Sequence, residues 1–233
     1  MQKYNLFCLP HAGGAAYNFL KWKRYFDNNI DIIPIELAGR GRRYNEPFYN
    51  SFNQAIKDIY KSIYPYLIKK ESYAILGHSM GAILAYELII EISKNNKMLP
   101  EAVFISGSNP PNNGLVNEWD FGSDKLLLER INKLGGIKKE LFNNSELLEI
   151  FLPIIKSDLK ILDCYYPSKE KIDCNIITFN GDKDSVVNSN RIKEWSEFTT
   201  KSLESFVFSG DHFYMDSNID EVSMVVNKVL FKK

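Results

Sequence analysis

The stretch Tyr73-Ala74-Ile75-Leu76-Gly77-His78-Ser79-Met80-Gly81-Ala82-Ile83-Leu84 decides the fold. Its first four apolar residues predict a short buried strand, and the apolar run from 82 to 93 predicts a helix. Between them two glycines bracket a serine. The pattern Gly-x-Ser-x-Gly is cheap on its own in a chain with 13 glycines; strand, sharp turn and helix around it make it specific. A nucleophile on a strained turn needs neighbours without a Cβ, so that strand and helix can approach closely. The helix that follows turns its free N–H groups and positive dipole end towards developing negative charge. A strand–helix turn with no chemistry is the competing reading.

Outward from this point, short apolar runs alternate with longer helical segments. Strands are expected at Tyr4–Leu9, 31–37, 73–76, Ala102–Ser106, 175–179 and 205–208, and helices at 16–27, 52–69, 80–95, 189–199 and 220–231. Several strands are apolar at successive positions, the mark of strands buried on both faces of a parallel sheet. The alternation predicts one α/β domain over residues 1–233, built on a doubly wound, mostly parallel sheet. The rhythm breaks from about 112 to 167, where only helical patterns occur, at 125–134 and 146–162. A structureless loop of that length is improbable in a compact domain, so this region is read as a helical insertion serving as a lid. Asn109-Pro110-Pro111 and Tyr165-Tyr166-Pro167 are its expected hinges.

Composition narrows the class. The chain has 233 residues, 45% hydrophobic and 25% charged, and its 29 basic side chains balance 29 acidic ones. No global field draws it to nucleic acid or an anionic membrane. The first apolar run is too short for a signal peptide, and no segment approaches bilayer-spanning length. Three scattered cysteines, Cys8, Cys164 and Cys174, have no metal-ligand spacing and are expected as free thiols in a reducing compartment. A soluble, cytoplasmic protein is expected.

A serine hydroxyl needs a base, and the chain offers three histidines. His78 is adjacent to Ser79 and on a tight turn points away from it. His11 follows the first strand. His212, in Gly210-Asp211-His212-Phe213, follows the last strand. In a hydrolase with this serine turn the chain order is serine, acid, histidine, which selects His212. The acid then lies between them at a strand end, where Asn180-Gly181-Asp182-Lys183-Asp184 offers two carboxylates. A turn must carry the chain a few residues before the acid points back, which favours Asp184 and leaves Asp182 to hold local backbone. An oxyanion needs two N–H donors. Met80, directly after the serine, supplies one, and Ala12 in the small-residue loop Pro10-His11-Ala12-Gly13-Gly14-Ala15 is the candidate for the other.

With these residues in place the chain resembles the type II thioesterases, the stand-alone editing hydrolases of non-ribosomal peptide and polyketide synthesis. The resemblance rests on the 9–15 loop, on Glu36-Leu37-Ala38-Gly39-Arg40-Gly41-Arg42-Arg43, on Gly77–Gly81, on Ser106-Gly107-Ser108, on Gly181–Asp184 and on Gly210–Phe213. It departs from the family in Ala38, where proline is common, and Asp211, where a second glycine is common. The resemblance implies an α/β-hydrolase that removes acyl groups from the phosphopantetheine arm of acyl- or peptidyl-carrier proteins. It implies no metal and no cofactor beyond the arm carried by the substrate. Its acid position matches Asp184 rather than the end of the strand Ala102–Ser106, as in chain-terminating domains. Arg40, Arg42 and Arg43 are candidates for meeting an acidic carrier, and a monomer is expected. A generic carboxylesterase or lipase, a non-catalytic binding protein on the same scaffold, and a product-releasing rather than editing enzyme are the rival readings.

Overall fold

The structure, a computed structural model, describes residues 2–111, 119–133 and 144–231. Six strands form one sheet: β1 (Tyr4–Leu9), β2 (Ile30–Pro34), β3 (Tyr73–His78), β4 (Ala102–Ser106), β5 (Asn175–Gly181) and β6 (Leu203–Phe208). Their order is β2-β1-β3-β4-β5-β6, and all five pairings are parallel. The expectation of a parallel α/β sheet therefore holds.

The continuous apolar runs follow from burial on both faces. Phe7, Leu9, Ile75, Val103 and Ile105 enter one core, whereas Leu6, Cys8, Ala74, Leu76 and Phe104 enter the other. The first core is covered by α1 (Phe52–Leu67) and α2 (Met80–Lys94). In α1 the buried set Phe52, Ala55, Ile56, Ile59, Ile63 and Leu67 recurs at helical spacing, and Ser51 caps its start by accepting the Gln54 N–H. α2 is buried almost all round, as a helix wedged between sheet and neighbours must be. The second core is covered by residues 16–24 and by the carboxyl-terminal helix Ile219–Phe231.

Two segments differ from expectation in their winding. Ala16–Arg24 and Ser189–Phe198 are 3₁₀ helices, not α-helices. Each still buries an apolar set: Ala16, Phe19 and Trp22 in one, Ile192, Trp195 and Phe198 in the other. In the region read as an insertion, α3 (Asp124–Lys133) and α4 (Ser145–Asp163) are helical; Leu134, the expected end of the first pattern, lies outside the described residues, as do 112–118. The remaining helix, Ile219–Phe231, is α5. Among the described residues no helix is long and apolar enough to cross a membrane.

Register decides where chemistry can gather. Leu9 pairs with Gly77, His78 with Ser106, Ser106 with Phe179 and Gly181 with Phe208. Parallel strands in this register bring the carboxyl ends of β1, β3, β4, β5 and β6 to one rim, the edge where open α/β sheets bind ligands.

Candidate active site

Ser79 stands at the turn between β3 and α2 with φ 55° and ψ −116°, a conformation that costs a non-glycine residue on the order of 1–3 kcal/mol. Two glycines make the turn possible. A Cβ on Gly77 would lie 2.0 Å from the Gly81 carbonyl oxygen, and one on Gly81 would lie 2.2 Å from the Leu9 carbonyl oxygen. The Ser79 N–H donates to the Ser106 carbonyl at 2.8 Å, tying the turn to the end of β4. α2 starts at Met80, so the Met80 N–H is among the first-turn donors that have no partner within the helix.

The loop after β6 brings His212 to this rim, 4% exposed. Its Nδ1 lies 2.8 Å from Asp184 Oδ2, and the two side chains are 5% and 1% exposed. Burial pushes the Asp184 carboxyl up, but the His212 contact and the N–H groups of Val186 and Val187 outweigh it and hold the group below its ordinary value. Asn109 fixes the loop beyond Asp184, donating to the Val186 carbonyl at 3.0 Å and accepting the Asn188 N–H at 2.8 Å. Asp182 accepts the Gly210 N–H at 2.7 Å. It thus holds backbone, though in the loop next door rather than in its own turn.

All three histidines collect here. The His78 ring centroid is 5.0 Å from that of His212 and 5.9 Å from that of His11. Phe213 lies 4.9–5.6 Å from each of the three rings. His78 Nδ1 lies 3.0 Å from Ser106 Oγ, which is 2.6 Å from the Tyr214 hydroxyl. Gly107, at φ 60°, leaves room for this cluster, since a Cβ there would meet His78 at 2.8 Å and His212 at 3.1 Å. Burial, followed by the charge on His212, lowers the His11 pKa to about 4 and holds His78 well below its ordinary value. Sequence reasoning did not reach Ser106, Tyr214 or Asn109 as members of the site.

Ser79, His212, His11 and Ala12 line one cavity of about 280 Å³. Its apolar wall comes from Ile131 of α3 and from Ile155, Leu159 and Leu162 of α4, with Trp119 and Val186 beside them. Arg130 also lines the cavity, stacked 4.6 Å from the Trp119 ring centre. In the loop before Ala16, the Gly13 N–H donates to Asp158 Oδ2 at 2.8 Å and the Gly14 N–H to the His11 carbonyl at 2.9 Å.

The arginine element needs a correction. Arg40 is buried, its side chain 2% exposed, and forks onto Asp158 of α4 at 2.5 and 2.6 Å. It cannot meet a carrier. Arg43 is largely spent on Asp58, Glu46 and the Glu36 carbonyl. Of the three, Arg42 alone is fully on the surface. Cys8 and Cys174 are buried and Cys164 is exposed, all as free thiols. Among the described residues no group of three or more His, Cys, Asp or Glu side chains could hold a metal ion.

A parallel sheet with a serine on a strained strand–helix turn, and a histidine–aspartate pair at the neighbouring strand ends, defines the α/β-hydrolase class. The sequence matches the thioesterase domain model over residues 4–230, and the chain belongs to that family of serine-type thioester hydrolases. It is 29% identical over 215 residues to the gramicidin S biosynthesis protein GrsT of Aneurinibacillus migulanus, covering 91% of this chain and 83% of that one. Among solved structures it is similar to ClbQ from the colibactin NRPS/PKS pathway, at 34% identity and TM-score 0.93, covering 99% of this chain and 98% of that one. The type II thioesterase BorB from the borrelidin biosynthetic cluster is similar at 28% identity and TM-score 0.84, covering 98% and 93%.

Proposed function

We propose that the chain hydrolyses acyl thioesters on the phosphopantetheine arm of acyl- or peptidyl-carrier proteins, clearing mis-acylated carriers, with Ser79, His212 and Asp184 as its triad. The observation that carries this reading is Ser79 on its glycine-flanked turn, sharing a cavity with a histidine whose Nδ1 is held by a buried aspartate. The relatives named for gramicidin S, colibactin and borrelidin pathways support the carrier-bound substrate.

His212 Nε2 takes the Ser79 hydroxyl proton as Oγ attacks the thioester carbonyl. The oxyanion is held by the N–H groups of Met80 and Ala12. Collapse of the tetrahedral adduct breaks the C–S bond, and the imidazolium returns the proton to the departing thiolate. Water then attacks the Ser79 ester while His212 takes its proton. A second collapse frees the acid and restores the serine. Throughout, Asp184 keeps the Nδ1–H tautomer and stabilises the imidazolium.

In this reading the single domain works in the cytoplasm as a monomer, without metal or cofactor, and α3 and α4 of the region read as an insertion form a lid over the cavity. The wall supplied by α3 and α4 supports the lid. The decisive experiment compares rates for one acyl group on carrier protein, on coenzyme A and on a simple ester, in the native chain and in Ser79→Ala. Fast turnover of the carrier thioester, lost in Ser79→Ala, is expected. Equal rates on all three favour a generic esterase, and undiminished hydrolysis by Ser79→Ala sinks the triad. Failure of a serine-reactive phosphonate to label the chain points instead to a binding protein.

A further inference from the structure

The Arg40–Asp158 ion pair is among the most deeply buried charged groups described in the chain, with side chains 2% and 1% exposed. Burying such a pair gains little stability, because desolvation offsets most of the attraction. Its contacts suggest another reason for it. Arg40 donates from one nitrogen both to Asp158 and to the Gly14 carbonyl, the latter at 3.1 Å, while Asp158 accepts the Gly13 N–H. Arginine and aspartate therefore grip two successive residues of the 10–15 loop from opposite polarities.

The same loop is wedged sterically at the same place. Gly13 has φ 80°, and a Cβ on it would lie 2.4 Å from Ile155 Cγ1, one turn before Asp158 on α4. Its far end is tied as well, by the Ala16 N–H donating to Glu36 Oε1 at 2.9 Å. Glu36 and Arg40 belong to one short segment, so this segment and α4 together clamp the loop at Gly13–Gly14 and just beyond its far end. The clamp commits the Gly13 N–H to Asp158, and the Gly14 N–H is committed to His11. Of the three successive donors, Ala12 is the one whose N–H has no partner among the described residues, and Ala12 lines the cavity.

We propose that Arg40 and Asp158 are a positioning pair: they fix the Ala12 N–H as an oxyanion donor and couple it to α4. Because α4 also supplies Ile155, Leu159 and Leu162 to the cavity wall, the wall that meets the acyl chain and the loop that meets its carbonyl oxygen move as one piece. This rests on the proposed role of Ser79 and Ala12. The arginine thereby acts inside the protein rather than at its surface.

The test uses the full chain carrying Arg40→Lys, which keeps the charge but loses the fork, and the double variant Arg40→Met with Asp158→Leu, which replaces the pair by apolar bulk. Each is assayed for kcat and KM on an acyl-carrier thioester and for affinity to an alkyl boronic acid, whose adduct with a serine places an oxygen where the oxyanion forms. Losing one oxyanion donor costs roughly 10²–10³-fold in kcat. A fall of about 100-fold is therefore expected for the double variant, and about tenfold for Arg40→Lys, with KM within about twofold and boronate affinity falling in step with kcat. Folded variants with native kcat and native boronate affinity overturn the proposal. So does a loss of activity that merely follows the folded fraction at unchanged boronate affinity per folded molecule. Should the double variant not fold, Arg40→Lys decides by the same criteria. Ser79→Ala, run alongside, separates the two levels: if it retains hydrolysis the triad is wrong, whereas if it is dead and the arginine variants are native, only the clamp is wrong.

Discussion

The two carboxylate oxygens of Asp184 bond to different partners, Oδ2 lying 2.8 Å from His212 Nδ1 while Oδ1 accepts the Val186 and Val187 N–H groups at 2.8 and 3.3 Å. The carboxylate is thus anchored by backbone before it meets the imidazole. Asp184→Asn keeps much of this geometry and removes the charge. Its kcat on an acyl thioester is expected to fall by about 10⁴-fold, as a triad histidine loses its tautomer. Activity within tenfold of the native chain excludes Asp184 as the orienting acid.

The same aspartate makes a signed contribution to stability. Its folded pKa lies below the unfolded value, so the stabilisation is complete above about pH 4 and lost as the pH falls through the folded value. Urea unfolding of native and Asp184→Asn chains should therefore differ at pH 6 and converge towards pH 2.

His11 and His78 act in another window. Burial lowers the folded pKa of His11 to about 4 and holds that of His78 well below its ordinary value, but each takes a proton near pH 6.5 once unfolded. The unfolded chain therefore binds more protons below about pH 6.5, so stability is full above that pH and, for His11, declines as the pH falls towards 4. The slope of unfolding free energy against pH over this range is expected to be shallower in His11→Asn. An unchanged slope means that His11 is protonated in the folded protein.

Ser106 bridges His78 and the Tyr214 hydroxyl in a buried chain. Ser106→Ala leaves both partners short of a hydrogen bond, and a loss of about 1–3 kcal/mol is expected by chemical denaturation. A neutral outcome says the two groups find other partners.

Much of the site was legible because its signals are local. The strand, glycine-bracketed serine and helix occupy consecutive positions, and Asp184 and His212 each follow a recognisable strand. Winding was not legible at Ala16–Arg24 or Ser189–Phe198. Over nine or ten residues, an apolar set spaced by three satisfies 3₁₀ and α geometry alike. The fate of Arg40 was hidden for a different reason. Its partner is 118 positions away, and an arginine among arginines reads as a solvated loop. The one available signal lay in α4, where Asp158 interrupts the apolar stripe of Ile154, Ile155, Leu159 and Leu162. An acid on a buried stripe demands a partner. Nothing in the sequence signalled that Ser106 and Tyr214 meet, since their meeting exists only through the register of β4 and the loop after β6.

The gathering of every imidazole of the chain around Phe213 has a practical consequence. Histidine ring resonances in this protein come from the proposed reaction centre and from nowhere else, so no distant histidine overlaps them. Acylation, product departure and a ligand entering the cavity can each be followed on unmodified protein as movements of three signals.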